Sequence, residues 1–133
     1  MFASLFVLLY VAHLTADYAL QTDHQVTHKA GAGRRAWLAL GAHAGTHVLV
    51  TAAALAGGAL VLDEVQLSPL PTLLALAWIG LTHAGIDRRW PITWWMTHTG
   101  SEDWISRDGA AHVDQTAHTL ALCLAALGLT ATA

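Results

Sequence analysis

Residues 13–21 read His13-Leu-Thr-Ala-Asp17-Tyr-Ala-Leu-Gln21 and follow twelve residues that are almost entirely apolar. Residues four apart lie on the same face of an α-helix, so His13, Asp17 and Gln21 form a polar stripe at one end of a hydrophobic helix. Three other apolar segments each contain a further pair with the same spacing: His43 and His47, His83 and Asp87, and Asp114 and His118. Apolar helices must therefore accommodate eight histidines and aspartates.

Four long segments carry no formal charge apart from these aspartates. Of the 133 residues, 55% are hydrophobic and 11% are charged, which is typical of a membrane protein. A helix rises about 1.5 Å per residue and needs about 20 residues to cross the hydrocarbon core. We therefore predict an all-α polytopic membrane protein, a single domain over 1–133 with a four-helix transmembrane bundle of two hairpins, its helices at about 2–21, 36–62, 69–88 and 109–131. The alternative is a soluble bundle with a very apolar core, which segment 36–62 disfavours because it is apolar on all sides.

The connections between these segments predict their orientation. All the basic residues lie in the first and third connections: Lys29, Arg34, Arg35, Arg88, Arg89 and Arg107. The positive-inside rule places both connections in the cytoplasm, so we expect a multi-pass protein of the inner (plasma) membrane with both termini on the outer side. The four polar pairs then lie near the cytoplasmic ends of their helices. We expect the tryptophan-rich connection 89–108 at the membrane surface, and the pattern lets helix one continue to His28, with His24 and His28 extending its stripe.

The two halves of the chain have matching spacings. His13-x-x-x-Asp17 corresponds to His83-x-x-x-Asp87, and 26 residues separate Asp17 from His43 where 27 separate Asp87 from Asp114. A parallel repeat of this kind predicts a pseudo-two-fold axis along the membrane normal with a site on it, although hairpins of similar length also match by coincidence.

The eight polar residues predict a metal site. An aspartate at mid-depth in a membrane costs about 2.5 to 3.5 kcal/mol, so such groups persist only when they are paired or bound. One explanation is a hydrogen-bonded network that joins the helices; four pairs at one depth favour a divalent metal instead. Histidine with some aspartate suits zinc, as one or two ions, with manganese, nickel or iron as alternatives. The candidate ligands are His13, Asp17, His43, His47, His83, Asp87, Asp114 and His118.

Some of these residues have further candidate roles. An aspartate that does not bind metal is a candidate catalytic base, and the candidates are Asp17, Asp87 and Asp114. Gln21 and Gln115 flank the ligands and either bind a substrate or cap the network. Membrane lipid is the expected partner, and no nucleic-acid partner is expected. Small residues in helix two allow close helix contacts, either within one chain or in a homo-oligomer.

The ordered set of motifs resembles a known family. The segment from His13 to Gln21, the His-x-x-x-His of the second span, His83-x-x-x-Asp87 and Asp114-Gln115-x-x-His118 are similar to domain-of-unknown-function family 3307, small four-span membrane proteins of bacteria and phages. The resemblance covers essentially the whole chain and implies no activity. A more distant likeness is to inner-membrane proteins described as metal-dependent hydrolases, which also carry paired His and Asp on membrane helices.

Three kinds of function remain open. The first is a metal-dependent hydrolase acting on a lipid-like ester or phosphoester from the cytoplasmic leaflet. The second is a metal or proton carrier, which is weakened because the polar residues occupy only one side of the membrane. The third is a non-catalytic protein that binds haem or a partner chain, with the His/Asp layer as a structural element.

Overall fold

The computed structural model describes all 133 residues, and all of its regular structure is helical. Its elements are α1 (Phe2–Leu14), a π-helical turn (Thr15–Ala19), α2 (Asp23–His28), α3 (Gly33–Val61), α4 (Pro69–Asp87), α5 (Trp90–His98), α6 (Glu102–Ile105) and α7 (Gly109–Ala131). The four long helices form a ring in which α1 and α4 each pack against both α3 and α7. The predicted all-α class is confirmed.

Three segments are long and apolar enough to cross a membrane: Phe2–Ala19, Gly33–Val61 and Pro69–Asp87. Many of their large apolar side chains point outward, among them Leu60, which is 87% exposed. These features are consistent with a membrane protein, because lipid covers such surfaces. Helix α7 has 23 residues but does not reach the same hydropathy, because its first half contains Asp114, Gln115 and His118. The fourth span predicted from the sequence is therefore not established by length and composition.

The interior of the ring is divided along its axis into two halves of different chemistry. One half, called here the apolar half, consists of ten buried residues: Leu5, Leu9, Leu55, Val65, Ala75, Ile79, Leu122, Ala125, Ala126 and Leu129. The other, called here the polar half, contains the side chains of His13, Asp17, His43, His47, His83, Asp87 and His118, nearly all of them buried. The buried histidines and aspartates are therefore confined to one end of the bundle.

Both chain termini lie at the apolar end. The N-terminal ammonium is 3.7 Å from a carboxylate oxygen of Glu64, and the Ser68 hydroxyl donates to the Thr132 carbonyl at 3.4 Å. The Ser4 hydroxyl donates to Glu64, and this bond together with the ammonium lowers the pKa of that exposed carboxyl. The opposite end of the bundle has α2, α5 and α6 as its connections.

The first connection differs from the sequence prediction. Helix one does not continue to His28: its last turn is π-helical, the chain breaks at Leu20, and α2 starts afresh. The cause is a capping box, in which Thr22 accepts a hydrogen bond from the Gln25 N–H and the Gln25 side chain accepts one from the Thr22 N–H. Because α2 begins at Asp23, Gln25 and Lys29 are the buried residues of this connection. His24 is exposed and stacks on the half-buried His28, so the two do not extend the stripe of helix one.

The start of α3 also differs from the prediction. Helix α3 begins at Gly33, three residues before the predicted start, and Gly33 has a φ of 82°, which a glycine adopts without strain. The connection 89–108 contains two helices, α5 and α6. Helix α5 buries Ile92 and Met96 and exposes Trp94 and Trp95, so it is amphipathic. Its predicted position at a membrane surface stays a prediction.

Candidate metal centre

The geometry of the polar half begins with Asp17. Asp17 lies in the π turn, where the Leu20 N–H donates to the Thr15 carbonyl at 3.1 Å, five residues back instead of four. Single π turns within helices are frequent at functional sites. The Asp17 side chain is 9% exposed and points into the bundle. Its two oxygens are both used by histidines.

Three histidine nitrogens, from α3 and α4, converge on the Asp17 carboxylate in the π turn. Its Oδ1 lies 3.1 Å from His47 Nε2, 3.2 Å from His43 Nε2 and 3.7 Å from His83 Nε2. Asp17, His43, His47 and His83 offer donor atoms that all lie within 4.8 Å of one another. Zinc–ligand bonds of about 2.0–2.1 Å in a tetrahedral site give ligand-to-ligand distances of about 3.3 Å. The distances from Asp17 are thus close to those of a tetrahedral site, and we call these residues the first donor group.

A second donor group lies beside the first and shares one residue with it. His83, Asp87 and His118 also offer donor atoms within 4.8 Å of one another. Asp87 Oδ2 is 3.2 Å from His83 Nε2 and 3.3 Å from His43 Nε2. The two donor groups are therefore parts of a single cluster with His83 in the middle.

The five imidazoles of the cluster pack directly on one another. The ring centroids of His47 and His83 are 3.5 Å apart, those of His83 and His118 are 4.4 Å apart, and that of His13 is 5.0 Å from His118. Among the buried atoms, His47 Nδ1 and His118 Nε2 make no hydrogen bond to the protein. Buried polar atoms normally have partners, so these atoms are suited to a ligand such as a cation.

The remaining predicted site residues lie around the two donor groups. His13 Nε2 is 3.2 Å from Asp17 Oδ2 and 3.5 Å from the side-chain oxygen of Gln115, so His13 holds the far side of the Asp17 carboxylate. The amide nitrogen of Gln21 lies 2.8 Å from His43 Nε2. Asp114 is the most exposed of the three site aspartates, at 23%, and contacts His118 Nδ1 at 3.3 Å. Asp114 and His13 belong to neither donor group.

Lys29 is a member of the site that the sequence analysis counted only as a topology signal. Its ammonium lies 2.9 Å from Asp87 Oδ2, and the residue is 8% exposed. The sequence did contain a relevant signal, because Thr22-Asp-His-Gln25 is a capping-box pattern that predicts a new helix after Gln21. With that helix in place, Gln25 and Lys29 share a face.

A cavity of about 310 Å³ lies next to the cluster, at the end of the bundle that carries α2 and α5. Its lining includes the site residues Gln21, Lys29, Asp87 and Asp114, and also Arg89 and Thr93 at the start of α5. Gln115 is not among the lining residues. The cavity therefore reaches the cluster at Asp87 and Asp114, whereas Asp17, His43, His47 and His83 are not among its lining residues.

The comparisons with known proteins agree with the resemblance drawn from the motifs. The family described as "Protein of unknown function (DUF3307)" matches residues 5–133, essentially the whole chain. The chain matches no curated protein and no solved structure.

Proposed function

The chain belongs to the DUF3307 family, whose function is unknown, and from its own geometry we propose that it is a four-span membrane protein with a metal-dependent hydrolase site. The proposed metal is a divalent ion, zinc in the first place, held by Asp17, His43, His47 and His83 near the cytoplasmic face. The proposed substrate is an ester or phosphoester of a membrane lipid.

The observation that carries this proposal is the first donor group. It brings one carboxylate and three imidazoles from three separate segments together within 4.8 Å. Burying these groups is costly unless they are paired or bind a cation. Imidazoles with a carboxylate are ligands that zinc prefers, and the distances around Asp17 suit its tetrahedral geometry.

The packing of α7 supports a fourth span. Helix α7 contacts α1 and α4 along the ring, so it lies at the same depth as two helices that have the hydropathy of membrane spans. Its polar His118 faces inward, whereas Leu120, Leu124 and Leu127 are exposed and would face lipid. The low mean hydropathy of α7 is thus a consequence of the site it helps to build.

The chain's own residues supply the remaining parts of a hydrolytic site. A divalent cation in the first donor group would supply Lewis acidity, which makes a water molecule nucleophilic near neutral pH. Asp114 lines the cavity and is outside both donor groups, so we assign it the role of general base. His13 holds the Asp17 carboxylate in its orientation. Gln21 lines the cavity, and the N–H of its amide that does not face His43 is the one we assign to a hydrogen bond with substrate.

The position of the cavity favours a lipid head group as the substrate. It opens at the end of the bundle that carries the basic connections, next to the amphipathic helix α5 with its exposed tryptophans. Tryptophan and arginine side chains are enriched where a protein meets lipid head groups. A head group entering from the cytoplasmic leaflet would therefore reach Asp87 and Asp114 without crossing the apolar half.

The alternatives fit these observations less well. A metal or proton carrier needs a polar route to both sides of the membrane, and the apolar half contains only hydrocarbon side chains along the axis. Haem needs a slot between its axial histidines, and the imidazoles here contact one another directly. A purely structural network would hold no metal, and it is the outcome that the following experiment is designed to detect.

The test is elemental analysis of the detergent-purified protein beside two α3 variants. His47→Ala removes a donor, and Leu49→Ala changes an exposed residue two positions away. We expect one metal ion per chain in the wild type and in Leu49→Ala. In His47→Ala we expect metal affinity to fall by more than the 10–100-fold that the loss of an outer partner costs. A wild-type protein without stoichiometric metal would overturn the metal site.

Hydrolysis and transport are separated by a second measurement on the metal-loaded protein. Incubation with mixed phospholipid micelles, followed by mass spectrometry of the lipids, should reveal cleaved head groups that are absent with Asp114→Asn. Metal flux into proteoliposomes without cleavage products would favour a carrier.

A further inference from the structure

Lys29 places a positive charge inside the candidate metal centre. Lysine is almost never buried unless its ammonium is paired, and here the pair is with Asp87 Oδ2 at 2.9 Å. Asp87 Oδ2 is also the carboxylate oxygen nearest to His83 Nε2, at 3.2 Å. The ammonium therefore competes for the oxygen that the second donor group would offer to a metal ion.

The surrounding structure holds Lys29 in this position. The capping box of Thr22 and Gln25 fixes the start of α2, and Lys29 follows the last residue of that helix. The Arg88 guanidinium donates to the Lys29 carbonyl at 3.2 Å and also stacks 4.7 Å from the centre of the Trp37 ring. Arg88 thereby ties the backbone of Lys29 to α3 and α4, which carry the donors.

The charges of the site residues favour a single divalent ion. Asp17, Asp87 and Asp114 contribute three negative charges, and the imidazoles are counted here as neutral, the form in which histidine binds metal. One divalent ion together with the Lys29 ammonium balances these charges. A second divalent ion would leave the layer with a charge of plus two, and it would lie close to the ammonium in a region where charges are poorly screened.

We propose that the Lys29 ammonium takes the place of a second metal ion, so that the centre binds one divalent ion at the first donor group. This inference rests on the proposed metal site and concerns how many ions it holds. The second donor group then holds no metal ion. Its Asp87 contacts both the metal ligand His83 and the Lys29 ammonium, which lies 2.9 Å from Asp87 Oδ2. The Asp87 carboxylate also lines the substrate cavity.

The test compares the metal content of the wild type with that of two variants at position 29. Lys29→Met keeps most of the side-chain length and removes the charge, and Lys29→Arg keeps the charge. Proteins are stripped with chelator, titrated with zinc alone in detergent at neutral pH, and analysed for bound metal per chain. We expect one ion in the wild type and in Lys29→Arg, and a second binding step in Lys29→Met.

Each outcome has a distinct meaning. Two ions in the wild type, or one ion in a folded Lys29→Met protein, would overturn the role of Lys29 and leave the metal site standing. A wild type that binds no metal would overturn the proposed function itself and this inference with it. If Lys29→Met does not fold, X-ray absorption of the zinc-loaded wild type still decides, because paired ions about 3.5–4 Å apart give metal–metal scattering, which we expect to be absent.

Discussion

The apolar and polar halves of the bundle interior are built by the same helices with the same spacing. On α1 the inward residues are Leu5, Leu9 and His13, and on α4 they are Ala75, Ile79 and His83, each four apart. Along each helix, the inward side chains change from hydrocarbon to groups that can bind metal within one helical turn. On α3 the change occurs at the buried Thr51, which lies one turn from His47 and one turn from Leu55.

The two halves depend on different physical properties. Packing in the apolar half is not directional, so an apolar residue of similar size can replace another at modest cost. The polar half depends on individual atoms, since each nitrogen or oxygen must lie within a few tenths of an ångström of its place. We therefore expect substitutions in the apolar half to change stability and substitutions in the polar half to change metal affinity.

The largest expected effect on stability comes from the apolar half. Leu55 is almost fully buried there, and Leu55→Ala should lower the free energy of unfolding by about 2–5 kcal/mol, because it leaves a cavity. The folded variant should still bind zinc as the wild type does, since Leu55 is two turns from His47. Unfolding by SDS titration in detergent measures the first effect, and elemental analysis measures the second.

A matched control for this substitution lies on the same helix. Leu60 is exposed, so Leu60→Ala should change the unfolding free energy in detergent by less than about 0.5 kcal/mol. Loss of zinc from a folded Leu55→Ala protein would show that the two halves are coupled and would contradict the division drawn between them.

A smaller effect is expected at the edge of the polar half. His13 contacts Asp17 Oδ2 and belongs to neither donor group, so it orients a ligand without binding the metal. His13→Phe keeps an aromatic ring in this buried place and should weaken zinc binding about 10–100-fold, as the loss of an outer partner does. His13→Gln retains a donor at a similar distance and should recover most of the affinity, which competition with a zinc chelator measures. A His13→Phe protein with wild-type affinity would remove His13 from the site.

Within the four long helices, the four-residue spacing correctly predicted that the five histidines of the pairs face the interior, because each stripe continues from an apolar core position to a polar one. His118, for example, is followed at the same spacing by Leu122 and Ala126 in the apolar half. Extended beyond helix one to His24 and His28, the same spacing was wrong. The spacing was not sufficient to predict how the side chains pair. The repeat matches Asp17 with Asp87, yet Asp17 contacts only imidazoles, whereas Asp87 contacts the Lys29 ammonium as well as two imidazoles.

The connections account for most of what the sequence analysis missed. Lys29 lies outside the apolar segments, and its burial depends on where α2 begins, which is determined by a local capping box and not by hydropathy. The π turn at Asp17 likewise leaves no clear mark in composition, because it is a local change in backbone hydrogen bonding, with the Leu20 N–H bonded to the Thr15 carbonyl. The capping box and the π turn each involve a single turn of backbone, and the periodicity of apolar residues does not predict features of that length.

The smallest effect concerns two neighbouring glycines near the apolar end of α3. A methyl group added at Gly58 would overlap Leu8 Cδ1, because α1 and α3 approach closely there, whereas Gly57 has no atom within 4 Å of that position. Leu8 is flexible, so Gly58→Ala should destabilise the protein by only about 1 kcal/mol, at the low end for overpacking. Gly57→Ala should stabilise it by up to about 1 kcal/mol, because alanine favours the helix.

The measurement for this pair is unfolding in detergent together with the elution volume on size exclusion. If Gly57→Ala instead destabilises the protein and shifts it to a smaller species, then the exposed glycine face contacts a second copy. In that case the homo-oligomer allowed by the sequence would be formed through α3. If the elution volume is unchanged and Gly57→Ala is more stable, then only Gly58 makes a close helix contact, and that contact lies within one chain.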